Sequence, residues 1–158
     1  MFNKPVSMGI IKRVDELTGG VNEEAIRRIV GKPDVYVRNR HSVVLECKFS
    51  TNLSYITAGR FKVMAYMYEH NANVGILVFP GLNKGAIFDD EDEATSRLYD
   101  ILLSRQSRYI NLRFNDGKLL YLLVVDPGEF KNPELTWATA LTRVSEALSE
   151  AMGSLKTT

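Results

Sequence analysis

The chain has 158 residues, of which 45% are hydrophobic and 25% charged, an ordinary composition for one globular domain with little disorder. Twenty Lys and Arg residues against 19 Asp and Glu residues leave a net charge of +1, which argues against a globally basic nucleic-acid binder but not against a local basic patch. The single cysteine, Cys47, excludes an internal disulfide framework and a multi-cysteine metal cluster within one chain. No apolar run approaches the roughly 20 residues that span a bilayer, so we expect a cytoplasmic protein without a membrane partner.

The first elements in chain order are a helix and an ambiguous segment. Helical spacing of apolar residues predicts a helix over about residues 5–18, which ends at Gly19 and Gly20. Its stripe consists of Val6, Ile10, Val14 and Leu17. Residues 22–30 fit either the start of a helix or a strand that leads into Gly31.

A hairpin, a helix and a strand are predicted next. The β-rich runs at residues 35–37 and 43–45 flank the polar turn at 38–41 and therefore indicate a hairpin. A helix is expected over residues 57–69, and the apolar run at 74–79, closed by Pro80 and Gly81, indicates a strand buried on both faces. The expected apolar face of the helix consists of Phe61, Met64, Ala65 and Tyr68.

The second half of the chain predicts a helix, a hairpin and a final helix. The helix covers residues 94–105, and runs at 109–114 and 119–125 flank an Asn-Asp-Gly turn that suits a hairpin. The final helix begins at Pro133 and is expected to end at Gly153. Its expected buried stripe is Trp137, Leu141, Val144, Leu148 and Met152. This order predicts one α/β domain over residues 1–158, a sandwich around one central sheet.

Charged residues within the second predicted strand point to chemistry. Side chains alternate along a strand, so Glu46 and Lys48 share one face with Val44, while Cys47 faces the other way. The hairpin brings Asp34 towards Glu46, and two carboxylates beside a lysine can hold a hard divalent cation such as Mg²⁺. Lys48 is then placed to orient a metal-bound water. The alternative is a cross-strand ion pair on a solvated sheet face.

Pro33-Asp34 followed by Glu46-Cys47-Lys48 resembles the signature of the PD-(D/E)XK nuclease superfamily. The resemblance covers about residues 10–80. It implies a restriction-endonuclease-like, three-layer αβα sandwich with a central mixed sheet, a core at about residues 5–80 and a C-terminal elaboration at about 88–153. It also implies Mg²⁺, with Mn²⁺ as a substitute, bound by Asp34, Glu46 and the carbonyl of Cys47, and a water positioned by Lys48.

Two subfamilies offer further matches. RecB-like nucleases carry Gln-x-x-x-Tyr on the following helix, and this chain has Lys62 and Tyr66 at those positions, which implies contacts to DNA. The alternative is that Lys62 is solvated and Tyr66 belongs to the core. The cysteines that hold an iron–sulfur cluster in CRISPR-type relatives are absent, so no cluster is expected.

Archaeal Holliday-junction resolvases share the Pro-Asp and Glu-Cys-Lys wording and carry an additional metal-site Glu in the first helix. That resemblance favours Glu16, with Glu23 and Glu24 as alternatives that also suit a solvated helix start.

A local basic region is expected near this site. Arg38 and Arg40 form the hairpin tip, where they are candidates for phosphate contacts or simply part of a mixed solvated surface. The two histidines lack the spacing of a zinc site. The expected function is therefore Mg²⁺-dependent hydrolysis of DNA. Three alternatives remain. The protein could be a homodimer that resolves DNA junctions, an inactive relative that only binds nucleic acid, or a structural protein with a chance match to the motif.

Overall fold

The computed structural model describes residues 31–38, 40–81, 93–104, 108–126 and 132–156. The predicted first helix and the ambiguous segment at 22–30 lie outside these residues, as do Glu16, Glu23 and Glu24.

Within these residues, five strands form one mixed open sheet in the order β1-β2-β3-β5-β4. They are β1 (Val35–Val37), β2 (Val43–Cys47), β3 (Val74–Phe79), β4 (Tyr109–Arg113) and β5 (Leu119–Val124). The three central strands run parallel, and β1 and β4 pair antiparallel at the two edges. The antiparallel pairing of β1 with β2 and of β4 with β5 confirms both predicted hairpins. Short β-branched or apolar runs with a polar turn between them favour such antiparallel neighbours.

In the described part of the chain, three helices accompany the sheet: α1 (Leu53–Glu69), α2 (Glu93–Ser104) and α3 (Pro133–Lys156). Helix α1 begins four residues earlier than predicted, because the side chain of Asn52 caps it by accepting a hydrogen bond from the Tyr55 N–H at 3.1 Å. Helix α3 continues through Gly153, which was expected to end it. Gly153 is exposed, and a glycine inside a helix costs only about 1 kcal/mol, which three further residues of helix tolerate.

The sheet is covered on both faces. Alternate residues of β5 enter two separate hydrophobic clusters, with Leu120 and Leu122 in one and Tyr121 and Leu123 in the other. Residues of α1 and α2 belong to the first cluster, and residues of α3 to the second. The protein is thus an α/β domain with helices on both faces of a mixed sheet, an arrangement compatible with the expected three-layer sandwich.

The buried face of α1 differs from the expected one. Phe61 and Tyr68 are half-exposed, whereas Gly59, Val63 and Met67 form a line that faces the sheet. Glycine is not counted as an apolar residue when a buried helix face is predicted from the sequence. Here Gly59 lets the helix approach the sheet closely, since a Cβ atom at this position would lie 3.3 Å from Leu77 Cδ1. The predicted buried face was therefore wrong, because the residues that pack on the sheet lie on the neighbouring side of the helix.

The predicted stripe of α3 does not form its buried face, since Val144, Leu148 and Met152 are only partly buried. Trp137 and Leu141 are exposed, while Ala147 and Ala151 are fully buried against the sheet. Among the described residues, no helix is long and apolar enough to cross a membrane.

Candidate active site

The β1–β2 hairpin brings Asp34 to the end of β2. The pairing of Val35 with Leu45, continued by one residue, sets Asp34 opposite Glu46. The Asp34 Oδ2 atom accepts a hydrogen bond from the Cys47 N–H at 2.7 Å, which fixes the carboxylate beside this strand end. The register thus sets the two acidic residues opposite each other, while the direct contact of Asp34 is with the Cys47 backbone.

Glu46 is a buried carboxylate with two lysines on one oxygen. It is only 2% exposed, and its Oε1 atom accepts hydrogen bonds from Lys48 Nζ and Lys62 Nζ, each at 2.7 Å. Its Oε2 atom is buried and has no hydrogen-bond partner among the described residues. A buried oxygen without a partner is costly, so this atom is open to a further ligand.

Opposing effects act on the ionisation of Glu46. Burial raises the pKa of its carboxyl, but the hydrogen bonds and charges of Lys48 and Lys62 outweigh this and leave the pKa below its usual value. The hydrogen bond to Glu46 raises the pKa of Lys62 in turn, with a further contribution from Tyr66. Because the Lys62 side chain is 45% exposed, solvent screens its share of the attraction, and we take Lys48, at 12%, as the stronger partner.

Lys48 is held by packing as well as by charge. Its N–H donates to the Val78 carbonyl at 2.8 Å, which extends the β2–β3 ladder by one residue. Its ammonium lies 5.3 Å from the centre of the Tyr55 ring, and a Cβ atom at Gly59 would lie 3.0 Å from Lys48 Cε. The apolar stem thus lies in the space that the glycine leaves open, and the charged end is aimed at Glu46.

Lys62 and Tyr66 have different surroundings, although they lie one turn apart on α1. The Tyr66 ring is buried in the core cluster, and Lys62 Nζ lies 5.3 Å from its centre. Tyr66 therefore belongs to the core, which is the alternative that the sequence left open for it, and its ring also contacts the Lys62 side chain. Lys62 joins the site through Glu46, a contact that the sequence analysis did not foresee.

The arginines of the hairpin tip lie away from this site. Arg38 follows β1 and Arg40 lies in the turn, whereas Asp34 precedes β1. Four residues of extended chain separate Asp34 from Arg38, a distance of about 13 Å at roughly 3.3 Å per residue. Both arginines are exposed, and the structure does not bring them together with the carboxylates.

Cys47 points to the opposite face of the sheet and is half-buried. Burial raises the pKa of its thiol, and the negative charges of Asp34 and Glu46 raise it further, which keeps the sulfur protonated and unreactive.

The donor set suits one small, hard cation. No group of three or more His, Cys, Asp or Glu residues that could hold a metal occurs in the described part of the chain. Mg²⁺, however, commonly uses one or two carboxylates and completes its shell with water and substrate phosphate. The unpartnered Oε2 of Glu46 and the carboxylate of Asp34 fit such a two-carboxylate site.

A cleft adjoins Lys48 at the carboxyl ends of the parallel strands, the edge at which open α/β sheets usually bind ligands. Its volume is about 540 Å³. Lys48 is on its wall, and the exposed aromatic rings of Phe49 and Trp137 flank it. The other lining residues are Cys47, Val78, Phe79, Pro80, Val125, Pro133, Thr136 and Ala140. Trp137 was predicted to lie in the buried stripe of the final helix, so the cleft was not predicted from the sequence.

Comparisons with models of known protein families, with curated proteins and with solved structures give no significant match for this chain.

Proposed function

We propose that this protein is a Mg²⁺-dependent deoxyribonuclease with a restriction-endonuclease-like fold of the PD-(D/E)XK type. One observation carries the proposal: Glu46 is a buried carboxylate that sits opposite Asp34, holds Lys48 at 2.7 Å and keeps one oxygen without a partner. A purely structural ion pair would not require a second carboxylate and an unpartnered buried oxygen at the same strand end.

The residues divide the chemistry among them. Asp34 and Glu46 would hold Mg²⁺, which would supply charge stabilisation at the phosphate and a more acidic water. Lys48 orients the water that attacks phosphorus, and the bond to the leaving oxygen breaks to give a phosphate monoester and a hydroxyl. Lys62, which is half-exposed, would contact a neighbouring phosphate while it neutralises Glu46.

The order of the elements supports the same proposal. A β1–β2 hairpin that carries Asp34 and Glu46 is followed by α1 and then by β3, parallel to β2. The PD-(D/E)XK resemblance implies this succession: an Asp before one strand, Glu-x-Lys on the next, and then a helix and a short apolar strand.

A second candidate is a nucleic-acid-binding protein without catalysis. It is favoured by the double pairing of Glu46, because two lysines on one oxygen already balance the carboxylate without a metal. Cleavage assays separate the two candidates.

Lys48→Met tests the proposal at its most specific residue. The substitution removes the ammonium but keeps most of the apolar stem that packs at Gly59, and Lys62 remains on Glu46, so the protein should stay folded. We expect cleavage of labelled linear, circular, single-stranded or junction DNA with Mg²⁺ to fall by about a hundredfold or more, the scale of a positioned proton-transfer group.

Lys118→Met is the matched control. Lys118 also pairs with a carboxylate, Asp116 at 3.2 Å, and also lies 5.3 Å from a tyrosine ring. It precedes β5, however, at the amino ends of the parallel strands, whereas Lys48 follows β2 at their carboxyl ends. Lys118→Met should retain full cleavage. Unchanged cleavage by folded Lys48→Met, or cleavage by the wild-type protein that persists in EDTA, would refute the assignment.

A further inference from the structure

The cleft beside Lys48 has a chemistry of its own. Among the described residues, its lining is mostly apolar and contains one charged residue, Lys48, and no Asp or Glu. A volume of about 540 Å³ falls within the range of about 300–1,000 Å³ typical of small-molecule sites. Such a cleft suits a flat, largely apolar group that is attached to an anion.

Two aromatic rings flank this cleft and are unusually open. Phe49 is 96% exposed and Trp137 is 67% exposed, and they come from different elements, the loop after β2 and the first turns of α3. Large rings are normally buried, because they lose the most from contact with water. Rings that line a cleft next to a lysine resemble the stacking surfaces with which proteins hold unpaired bases.

We propose that this cleft binds an unpaired base of DNA and that the protein therefore prefers single-stranded or frayed DNA to closed duplex. The inference rests on the proposed function, since it takes the phosphate to lie at Lys48. Lys48 belongs to both places: its ammonium contacts Glu46, and the residue forms part of the lining of the cleft. If a DNA phosphate lies at Lys48, the base of the adjoining nucleotide therefore lies next to the aromatic rings of Phe49 and Trp137. A base in closed duplex must first leave its stack to enter.

Trp137 provides a direct measurement because it is the single tryptophan of the chain. We expect single-stranded DNA, titrated in EDTA so that nothing is cleaved, to quench the fluorescence of Trp137. A blunt duplex of the same sequence should quench it much less at equal concentration.

Substitution at the second ring tests the stacking itself. Phe49→Ala should weaken binding of the single strand by about 5- to 150-fold, the range that corresponds to loss of one stacked base. It should change binding of the blunt duplex little. Tyr68→Ala is the matched control, because Tyr68 is also a half-exposed ring but lies at the end of α1, next to the β4–β5 turn. It should bind the single strand as the wild type does.

The outcomes keep this inference separate from the proposed function. If single strands quench the fluorescence but no Mg²⁺-dependent cleavage is found, the cleft binds bases as proposed and the proposed nuclease activity is refuted. Cleavage that proceeds without quenching, and equally well in Phe49→Ala, would refute the cleft and retain the nuclease. Absence of both binding and cleavage would refute both. A change in Trp137 fluorescence that depends on protein concentration and not on DNA would mean that a second copy of the chain occupies the cleft, which also refutes the inference.

Discussion

At the scale of single residues, the stability of the site depends on how Glu46 remains ionised. Burial alone would favour its protonated form, and the two lysines reverse that preference. Such a carboxylate stabilises the folded state only while its negative charge is present, so its contribution depends on pH.

Glu46→Gln tests this balance through the pH dependence of unfolding. The pKa in the folded state is lower than the usual value of 4.5, so the stabilisation is fully present above about pH 4.5 and is lost as the pH falls through the folded-state pKa. At pH 7 the variant should lose about 1–3 kcal/mol of the free energy of unfolding, because two ammonium groups lose their charged acceptor. The difference from wild type should shrink on acidification, as measured by urea denaturation between pH 3 and pH 7.

Glu146→Gln is the control for this experiment, since Glu146 is an exposed glutamate on α3. Its stability should stay close to that of wild type at every pH. A deficit of Glu46→Gln that is constant from pH 7 to pH 3 would show that Glu46 acts through packing and not through its charge.

At the scale of elements, the close packing of α1 on β3 determines where Lys48 and Lys62 lie. Gly75 in β3 has no room for a side chain, because a Cβ atom there would overlap Met67 Sδ and would lie 2.7 Å from Val63 Cγ1. Val63 is β-branched and has little rotamer freedom with which to move away. The close approach of the helix at this point therefore requires a glycine in the strand.

Gly75→Ala should destabilise the protein by about 1–3 kcal/mol through overpacking. Gly153→Ala is the opposite case, since Gly153 lies within α3 with nothing within 4 Å of its added Cβ atom. It should stabilise by up to about 1 kcal/mol through helix propensity. Thermal or urea unfolding of the two variants checks both signs, and equal effects would contradict the packing of α1 on β3.

The same packing explains which parts of the fold were predictable. Strands were found because each is a short apolar run closed by turn residues, a local signal. The faces of α1 and α3 were not, because burial there follows from Gly59, Gly75 and the alanines at 147 and 151, which a count of large apolar residues ignores.

The site divides in a similar way. Asp34, Glu46 and Lys48 were predictable, because strand alternation and a hairpin act over a few residues. The ion pair of Lys62 with Glu46 and the exposure of Trp137 depend on how the helices cross the sheet. Short sequence patterns do not predict how a helix crosses a sheet.

At the scale of the whole molecule, α3 is the only described helix in the second hydrophobic cluster, and its contact there includes two small residues, Ala147 and Ala151. A polar contact supplements this apolar one. Glu150 on α3 accepts hydrogen bonds from Tyr109, Asn111 and Tyr121, three side chains of β4 and β5. Burial raises the pKa of Tyr121, and the charge of Glu150 raises it further, so the phenol stays a donor. One carboxylate therefore joins the helix to the β4–β5 edge of the sheet.

Glu150→Ala should lower the free energy of unfolding by about 1–3 kcal/mol, because the buried Tyr121 hydroxyl loses its acceptor. In a chain of this length each kcal/mol corresponds to a fall in Tm of about 2–4 °C. Glu146→Ala, one turn earlier on α3, should change Tm little, and Glu150→Gln should recover part of the loss because its carbonyl oxygen still accepts. Glu150 contacts β4 and β5, whereas Glu46 lies on β2, so cleavage by the folded Glu150→Ala protein well below its Tm should equal that of wild type. If Glu150→Ala and Glu146→Ala melted at the same temperature, apolar packing would hold α3 on the sheet without help from Glu150.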